Sequence, residues 1–142
     1  EYRKKLGDSA GIADVLLKIG SVYNIIGNFE LAMENFHKSL EIMERIGKIE
    51  GKEKLFLYMG NCHNFKYENK QALSFYKKAL AVAKKLGNKE HIAKSTTNIG
   101  LIHILKGDYD LALDSFVKGL EYSEQLKHIL MISISYCNLG DV

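Results

Sequence analysis

The ten residues GNFELAMENF (Gly27 to Phe36) return eighty residues later as GDYDLALDSF (Gly107 to Phe116), and a diverged copy, YENKQALSFY (Tyr67 to Tyr76), lies halfway between them. Aligning the chain with itself at an offset of forty residues extends the agreement over its whole length. One column of small residues consists of Gly20, Gly60, Gly100 and Gly140. Self-similarity at a fixed period of about 20 to 50 residues is typical of solenoid proteins. The chain is therefore expected to form a single array of stacked units.

Each unit contains two helical patterns, in which apolar residues recur three and four positions apart. The first helices are predicted over residues 13–26, 53–66 and 91–106, and the second helices over 29–46, 69–86 and 109–126. The chain has no proline, and a glycine followed by Asn or Asp separates the two helices in the first and third units. A helical pair cannot bury its apolar face alone. We therefore predict an all-α solenoid of antiparallel helix hairpins.

These columns resemble the tetratricopeptide repeat (TPR) family, which places a small residue at position eight and an aromatic at position eleven. The first unit supplies them as Gly20 and Tyr23, and continues with the family's Ala32, Phe36 and Leu40. The forty-residue period is similar to the TPR repeats of kinesin light chains, of the GoLoco spindle adaptor and of bacterial signalling proteins. HEAT repeats have a comparable period but lack these columns. The resemblance implies a right-handed TPR superhelix.

The resemblance also divides the chain, which we interpret as a single TPR domain over residues 1–142. Three full repeats are predicted over residues 13–47, 53–87 and 93–127. Residues 1–7 align with the end of a second helix and are expected to close a preceding repeat. Residues 129–142 are expected to be the first helix of a further repeat, so the chain reads as a fragment with half-repeats at both ends.

Composition narrows the classes of function. The net charge is only +3, with 20 basic and 17 acidic residues interspersed, and a nucleic-acid binder usually has a concentrated basic face. No apolar run approaches the length of a membrane span. The cysteines Cys62 and Cys137 lack disulfide or metal spacing, which favours a reducing, cytoplasmic location.

No group of residues predicts catalysis. Cys62 and His63 are adjacent, and neighbours on a helix point about 100° apart, so they do not face each other. Cys62 shares its column with Val22 and Ile102, which predicts a small buried residue. His63 and His103 occupy an aromatic column and are interpreted as structural. We therefore expect neither enzymatic activity nor a metal or cofactor.

In the TPR family, the first helices line a concave groove that binds peptides. Carried over by position, the resemblance places thirteen residues of this chain in the groove: Lys18, Asn24, Lys54, Leu57, Tyr58, Asn61, Asn64, Phe65, Lys94, Asn98, Leu101, Leu105 and Asn138. Asparagine is a poor helix former, and its carboxamide can both donate to and accept from a peptide backbone. The asparagines are therefore candidate ligands for an extended segment, although plain solvation of this face would also explain them. The family's carboxylate clamp is incomplete in either possible register, which disfavours binding of a chaperone tail.

The sequence thus predicts a non-catalytic module that binds a peptide or protein segment, as part of a larger adaptor or signalling protein. The leucines and Phe65 would supply apolar anchors, and the three lysines a preference for acidic partners. The alternative is a self-associating structural scaffold that stacks through terminal helices at residues 1–6 and 129–142. A helical repeat that reads RNA is the least favoured, because the groove lacks a basic stripe and a base-reading column.

Overall fold

In a computed structural model, the backbone is described for residues 2–126 and the side chains for residues 8–126. The described part of the chain consists of six helices and contains no strand. They are α1 (Tyr2–Ile25), α2 (Phe29–Arg45), α3 (Lys52–Phe65), α4 (Asn69–Leu86), α5 (Lys89–Lys106) and α6 (Tyr109–Leu126). The predicted all-α class is confirmed, and the three second helices lie within one residue of their predicted bounds. The helix predicted over 129–142 and Asn138 lie outside the described residues.

Helix α1 is longer than the sequence suggested. A turn was expected near Gly7, but the helix runs from Tyr2 to Ile25 without interruption. A glycine ends a helix when it adopts positive φ, as Gly87 and Gly107 do at φ of 66° and 78°. Gly7 and Gly11 instead lie within helical backbone. No turn therefore separates residues 2–7 from the first hairpin.

Within each hairpin, the two helices cross closely at the glycine column. A Cβ atom built on Gly60 would lie 2.5 Å from the Tyr76 ring, and one on Gly100 would lie 2.6 Å from the Phe116 ring. Gly20 is equally close to Phe36. The column is thus small because the aromatic ring of the partner helix occupies the space of a side chain.

The hairpins stack so that α2 also packs on α3, and α4 on α5, while the first helices α1, α3 and α5 are neighbours along one side. Two apolar cores result. One core joins α1, α2 and α3 and includes Phe36, Met43 and Met59; the other joins α3, α4 and α5 and includes Tyr76 and Ile102. This is the architecture of a helical solenoid.

The connections between hairpins differ in length. Six residues, 46–51, separate α2 from α3, and the last of them, Gly51, has a φ of 91°. Only residues 87–88 separate α4 from α5, and the Asn88 side chain caps α5 by accepting from the His91 amide. At an offset of forty, α5 therefore begins three residues earlier in its repeat than α3 does.

Candidate functional site

A cleft of about 460 Å³ opens between the first helices α1 and α3. It brings together three of the predicted groove residues: Lys18 from α1, and Lys54 and Tyr58 from α3. The remaining lining residues are Asp14, Leu17, Ser21, Lys48, Glu50, Gly51 and Glu53. The cleft therefore lies on the side of the array that the sequence assigned to the groove.

The floor of the cleft is apolar and held in place by the first core. The Tyr58 ring stacks on Phe36, with ring centroids 5.8 Å apart, and Leu17 is buried beside it. Gly51 contributes backbone only: a Cβ atom there would lie 3.3 Å from Cε of Met43 and would meet Leu17. The positive φ of Gly51 and this lack of space both favour glycine at the edge of the cleft.

The walls of the cleft carry charges of both signs. Lys48 Nζ lies 2.6 and 2.7 Å from the two carboxylate oxygens of Asp14, which ties the linker 46–51 to α1. The buried Glu53 side chain accepts from the Gly51 amide at 2.9 Å. Three lysines and three carboxylates line the cleft in all, so its formal charge is balanced rather than basic. Within the described residues no ion pair is seen for Lys18 or Lys54, and both side chains are exposed.

Three of the predicted asparagines, Asn24, Asn61 and Asn98, make hydrogen bonds between repeats. Oδ1 of Asn61 accepts from the Tyr76 hydroxyl at 2.9 Å and from Nδ2 of Asn98 at 3.4 Å. Asn24 lies at the preceding junction, where its Oδ1 accepts from Sγ of Cys62 at 3.3 Å. Burial raises the pKa of the Tyr76 hydroxyl, which keeps it protonated as the donor. These carboxamides therefore also serve as internal ties, a role that the sequence pattern did not reveal.

The predicted apolar anchors differ in how far they are exposed to solvent. Leu57 is buried in the second core beside Ile99, so it cannot act as an exposed anchor. Leu101 and Leu105 are exposed on α5, and Phe65 is exposed at the end of α3, where it stacks on Phe29 with ring centroids 5.1 Å apart.

Two further predicted residues lie outside the cleft. Lys94 is half-buried and paired with Glu90 at 2.6 Å, and Asn64 is half-buried near the end of α3.

Of the residues considered for catalysis, Cys62 is buried in the core, and His63 and His103 are hydrogen-bonded to nearby carboxylates. Cys62 is buried, and burial raises the pKa of its thiol to about 11, which suppresses the reactive thiolate. Nδ1 of His63 lies 2.5 Å from Glu68, and Nδ1 of His103 lies 3.4 Å from Asp108, across the turns that lead into α4 and α6. Both histidines are thus hydrogen-bonded to carboxylates of the following turn.

Asp108 is held as a carboxylate by its neighbours. Its hydrogen bonds with Lys106 and His103 lower its pKa. Among residues that the structure describes, no cluster of His, Cys, Asp and Glu could hold a metal ion.

The linker residues of the cleft were not anticipated. Lys48, Glu50 and Gly51 belong to the long connection between α2 and α3, and Glu53 follows in the first turn of α3. The available signal was the spacing of Gly47 and Gly51, which marked the longer break but not its contribution to a site.

In the described part of the chain, none of the helices has the length and hydropathy that a membrane crossing requires.

Solved structures with the same fold are numerous, although the sequence identities are low. BtubC (BKLC) from P. vanneervenii is 18% identical with a TM-score of 0.81, and the alignment covers 91% of this chain and 54% of that one. The apo form of RapI is 21% identical with a TM-score of 0.84, covering 93% of this chain and 37% of that one. A signal transduction ATPase with numerous domains and a tetratricopeptide repeat sensor, from Pyrococcus horikoshii, is 20% identical with a TM-score of 0.81, covering 94% and 21%. The chain thus spans little more than half the length of BtubC and about a fifth of the length of the ATPase.

Comparison by sequence indicates to which family the chain belongs. No curated protein matches the chain by sequence. Sequence models described as tetratricopeptide repeat match residues 13–44 and 52–125, and the second match alone covers more than half of the chain. Together with the six-helix solenoid and the glycine crossings, these matches show that the chain belongs to the tetratricopeptide repeat family.

Proposed function

We propose that this chain is a non-catalytic module that binds a peptide or protein segment along its first helices, with the cleft between α1 and α3 as the principal contact. The TPR fold is a protein–protein interaction fold, and the proposal assigns that interaction to a particular surface. The observation that carries it is the convergence of Lys18, Lys54 and Tyr58 on one cleft. An extended segment would lay its backbone over Leu17 and Tyr58.

The charges of the cleft favour a particular kind of segment. Asp14 and Lys48 satisfy each other, and Glu53 is occupied by the Gly51 amide. Lys18 and Lys54 are exposed and would attract a carboxylate side chain on the bound segment, whereas Glu50 would favour a basic or polar residue beside it. The proposed ligand is therefore a segment with an acidic residue next to an apolar one, rather than a uniformly acidic tail.

The asparagines would extend this contact towards α5. Both hydrogen bonds described for Asn61 use Oδ1, which leaves its Nδ2 group to donate to a ligand carbonyl. Asn98 uses Nδ2 towards Asn61 and would offer Oδ1 as an acceptor. Beyond them, Leu101 and Leu105 present exposed apolar side chains. Asn24, Asn64, Phe65, Lys94 and Asn138 complete the set assigned by family position.

The proposal also covers the protein in which this module works. We infer that the module works within a larger adaptor or signalling protein in the cytoplasm, without nucleic-acid or membrane partners. One structural relative, the ATPase from Pyrococcus horikoshii, carries its tetratricopeptide repeat as a sensor, which supports a signalling context. The balanced charge of the chain supports a protein ligand over a nucleic acid.

A peptide library displayed on phage tests this function. Peptides selected on the wild-type chain should lose at least tenfold in affinity for a Lys18→Ala/Lys54→Ala variant, measured by fluorescence anisotropy. Lys77→Ala/Lys85→Ala is the matched control, because it removes two exposed lysines from α4 and should change affinity less than twofold. Lysine variants are preferable to Asn61→Ala, which would also break bonds between repeats.

Two results would contradict the proposal. One is the failure of the wild-type chain to enrich any peptide. The other is an equal loss of affinity in the two double-lysine variants, which would indicate general charge attraction rather than a cleft.

A further inference from the structure

The turn between α3 and α4 carries a tyrosine in a backbone conformation that favours glycine. Tyr67 has a φ of 59°, and among the residues that the structure describes it is the one residue other than glycine with a positive φ. The corresponding turns of the first and third hairpins have Gly27 and Gly107 at this place, with φ of 80° and 78°. A bulky side chain is disfavoured in this left-handed region, whereas glycine is not.

The fold does not account for a tyrosine at this turn. In all three hairpins, the amide after the turn residue donates to the carbonyl five residues back: Asn28 to Tyr23, Glu68 to His63 and Asp108 to His103, at 2.9, 3.0 and 2.9 Å. The backbone of the turn is therefore the same with glycine as with tyrosine. The Tyr67 side chain is 88% exposed, and within the described residues it has no hydrogen bond or ring contact. Its ring is thus free to contact another molecule.

The end of α3 beside this tyrosine is also apolar and exposed. Phe65 is 62% exposed, although one face of its ring stacks on Phe29. A shallow pocket of about 290 Å³ lies next to this pair, where Phe29, Ile26 and Lys66 contribute to its lining. We call Ile26, Phe29, Phe65 and Tyr67 the Tyr67 patch. An exposed apolar patch of this kind marks an interaction surface.

One face of α3 connects the Tyr67 patch to the cleft. It carries four residues that recur four, three and four positions apart: Lys54, Tyr58, Asn61 and Phe65. Lys54 and Tyr58 line the cleft, and Phe65 belongs to the patch. Seven helical residues separate Tyr58 from Phe65, which is about 10 Å along the axis and about three residues of an extended chain. A segment that lies in the cleft and follows this face of α3 therefore reaches the patch.

The chemistry at the two ends of this path defines the segment. Lys18 and Lys54 are exposed at the cleft and suit an acidic side chain. The rings of the patch suit another aromatic ring, because aromatic pairs stack with an offset or meet edge to face. Lys54 lies about 16 Å from Phe65 along the helix, so the acidic and aromatic residues would be about three to five positions apart.

We propose that Tyr67 is a specificity-determining residue of the peptide site, which together with Phe29 and Phe65 holds an aromatic side chain of the bound segment. That side chain lies about three to five positions from the acidic residue at Lys18 and Lys54. This inference rests on the proposed function and adds a second anchor to it. The contact of the Tyr67 ring with the ligand would offset the cost of its backbone conformation.

The test uses fluorescein-labelled peptides from the phage selection on the wild-type chain, with anisotropy as the measurement. Tyr67→Gly removes the ring and keeps the turn in the conformation of Gly27 and Gly107. Tyr109→Ala is the matched control, because it removes an exposed tyrosine at the corresponding end of the third hairpin. The selected peptides should share an aromatic residue about three to five positions from Asp or Glu.

Tyr67→Gly should bind these peptides about fivefold to tenfold more weakly than the wild type, and Tyr109→Ala less than about twofold more weakly. Replacing the aromatic residue of the peptide by alanine should cause the same loss, and combining it with Tyr67→Gly should add little, because both changes remove one contact. Tyr67→Gly should also raise the midpoint of thermal unfolding by about 1–3 °C, because glycine relieves the strained turn. A variant that is more stable and yet binds more weakly identifies a residue that serves binding.

Three results would overturn the inference. Wild-type affinity in Tyr67→Gly, combined with the expected loss in Lys18→Ala/Lys54→Ala, would remove Tyr67 from the site and leave the proposed function intact. A lower unfolding midpoint in Tyr67→Gly would show that the tyrosine supports the fold. Failure of the wild type to enrich any peptide would contradict the proposed function and this inference together.

Discussion

The two internal junctions of the array are built from the same repeat columns but differ in how tightly they close. Between the first and second hairpins, the six-residue linker delays the start of α3, and a cleft remains between α1 and α3. Between the second and third hairpins, the two-residue connection starts α5 earlier, and its first turns bury His91, Ile92 and Ala93. Both junctions have an apolar core, but the longer connection accompanies a cleft at the first and the shorter one accompanies closer packing at the second.

The polar side chains also differ between the open and the closed junction. At the open junction, Lys48 and Asp14 form an ion pair that remains partly accessible to solvent. At the closed junction, Oδ1 of the half-buried Asn61 accepts both from the Tyr76 hydroxyl of its own hairpin and from Asn98 of the next one. A repeat column therefore specifies a location in the array, while the length of the neighbouring connection determines whether that location is accessible.

The largest expected effect concerns the column of Cys62 and Ile102, which places one residue at each junction. Ile102→Ala should lower the free energy of unfolding by about 2–5 kcal/mol, because it leaves a cavity in the second core. Cys62→Ala removes one sulfur atom from the first core and should cost about 1 kcal/mol. Chemical denaturation followed by circular dichroism measures both. Equal losses would show that the two junctions are packed alike.

The next effect tests the close crossing of α3 and α4 within the second hairpin, which lies between the two junctions. Gly60→Ala should destabilise the chain by about 1–3 kcal/mol, because the added methyl group meets the Tyr76 ring. Gly11→Ala is the control: its Cβ atom meets nothing within 4 Å, and the gain in helix propensity should stabilise by up to about 1 kcal/mol. Thermal unfolding of the two variants measures both changes in stability. A Gly60→Ala variant as stable as the wild type would contradict the close crossing of α3 and α4.

A smaller effect separates the polar groups of the two junctions. Tyr76→Phe removes the hydroxyl that donates to Asn61 and should cost about 1 kcal/mol of unfolding free energy. Tyr58→Phe makes the same change at the cleft, where no hydrogen bond of the hydroxyl is described, and should be close to neutral. If Tyr58→Phe proved the more damaging in urea denaturation, the assignment of the polar network to the closed junction would be wrong.

The smallest effect is a pH dependence of the closed junction. Burial lowers the pKa of His91 below its ordinary value of 6.5, outweighing the opposing attraction of Glu53. The folded chain therefore takes up this proton less readily than the unfolded chain, and stability should decline as the pH falls through about 6.5.

Denaturation at pH 7.5 and 5.5 measures that decline, which should be smaller in His91→Gln. His37→Gln, at an exposed position, should keep the wild-type dependence. An identical decline in all three proteins would place the titrating group elsewhere.

Much of the fold could be predicted from the sequence because the signals are local and repeated. The spacing of apolar residues gave five of the six described helices to within two residues at each end, and the glycine column located the crossings with Phe36, Tyr76 and Phe116. The start of α1 could not be predicted in this way. A glycine such as Gly7 is compatible with both a turn and a helix, and only the backbone conformation distinguishes them.

The candidate site was predicted in part. Family position assigned Lys18, Lys54 and Tyr58 to the first helices, and these three residues line one cleft between α1 and α3. It could not foresee that Leu57 is buried or that Asn98 donates to Asn61, since both depend on how closely the next hairpin packs. Leu57 and Leu101 differ by only one turn in their repeats, and yet one faces the core and the other faces solvent.

By itself, the sequence determined the helical period, the hairpin unit and the membership of a repeat family, because these depend on the chemical character of residues at fixed spacing. Only the packing of the helices determines which junction is open and which asparagines connect neighbouring repeats. These properties depend on distances between helices far apart in sequence. A shift of a single helical turn, set here by four extra linker residues, is enough to change them.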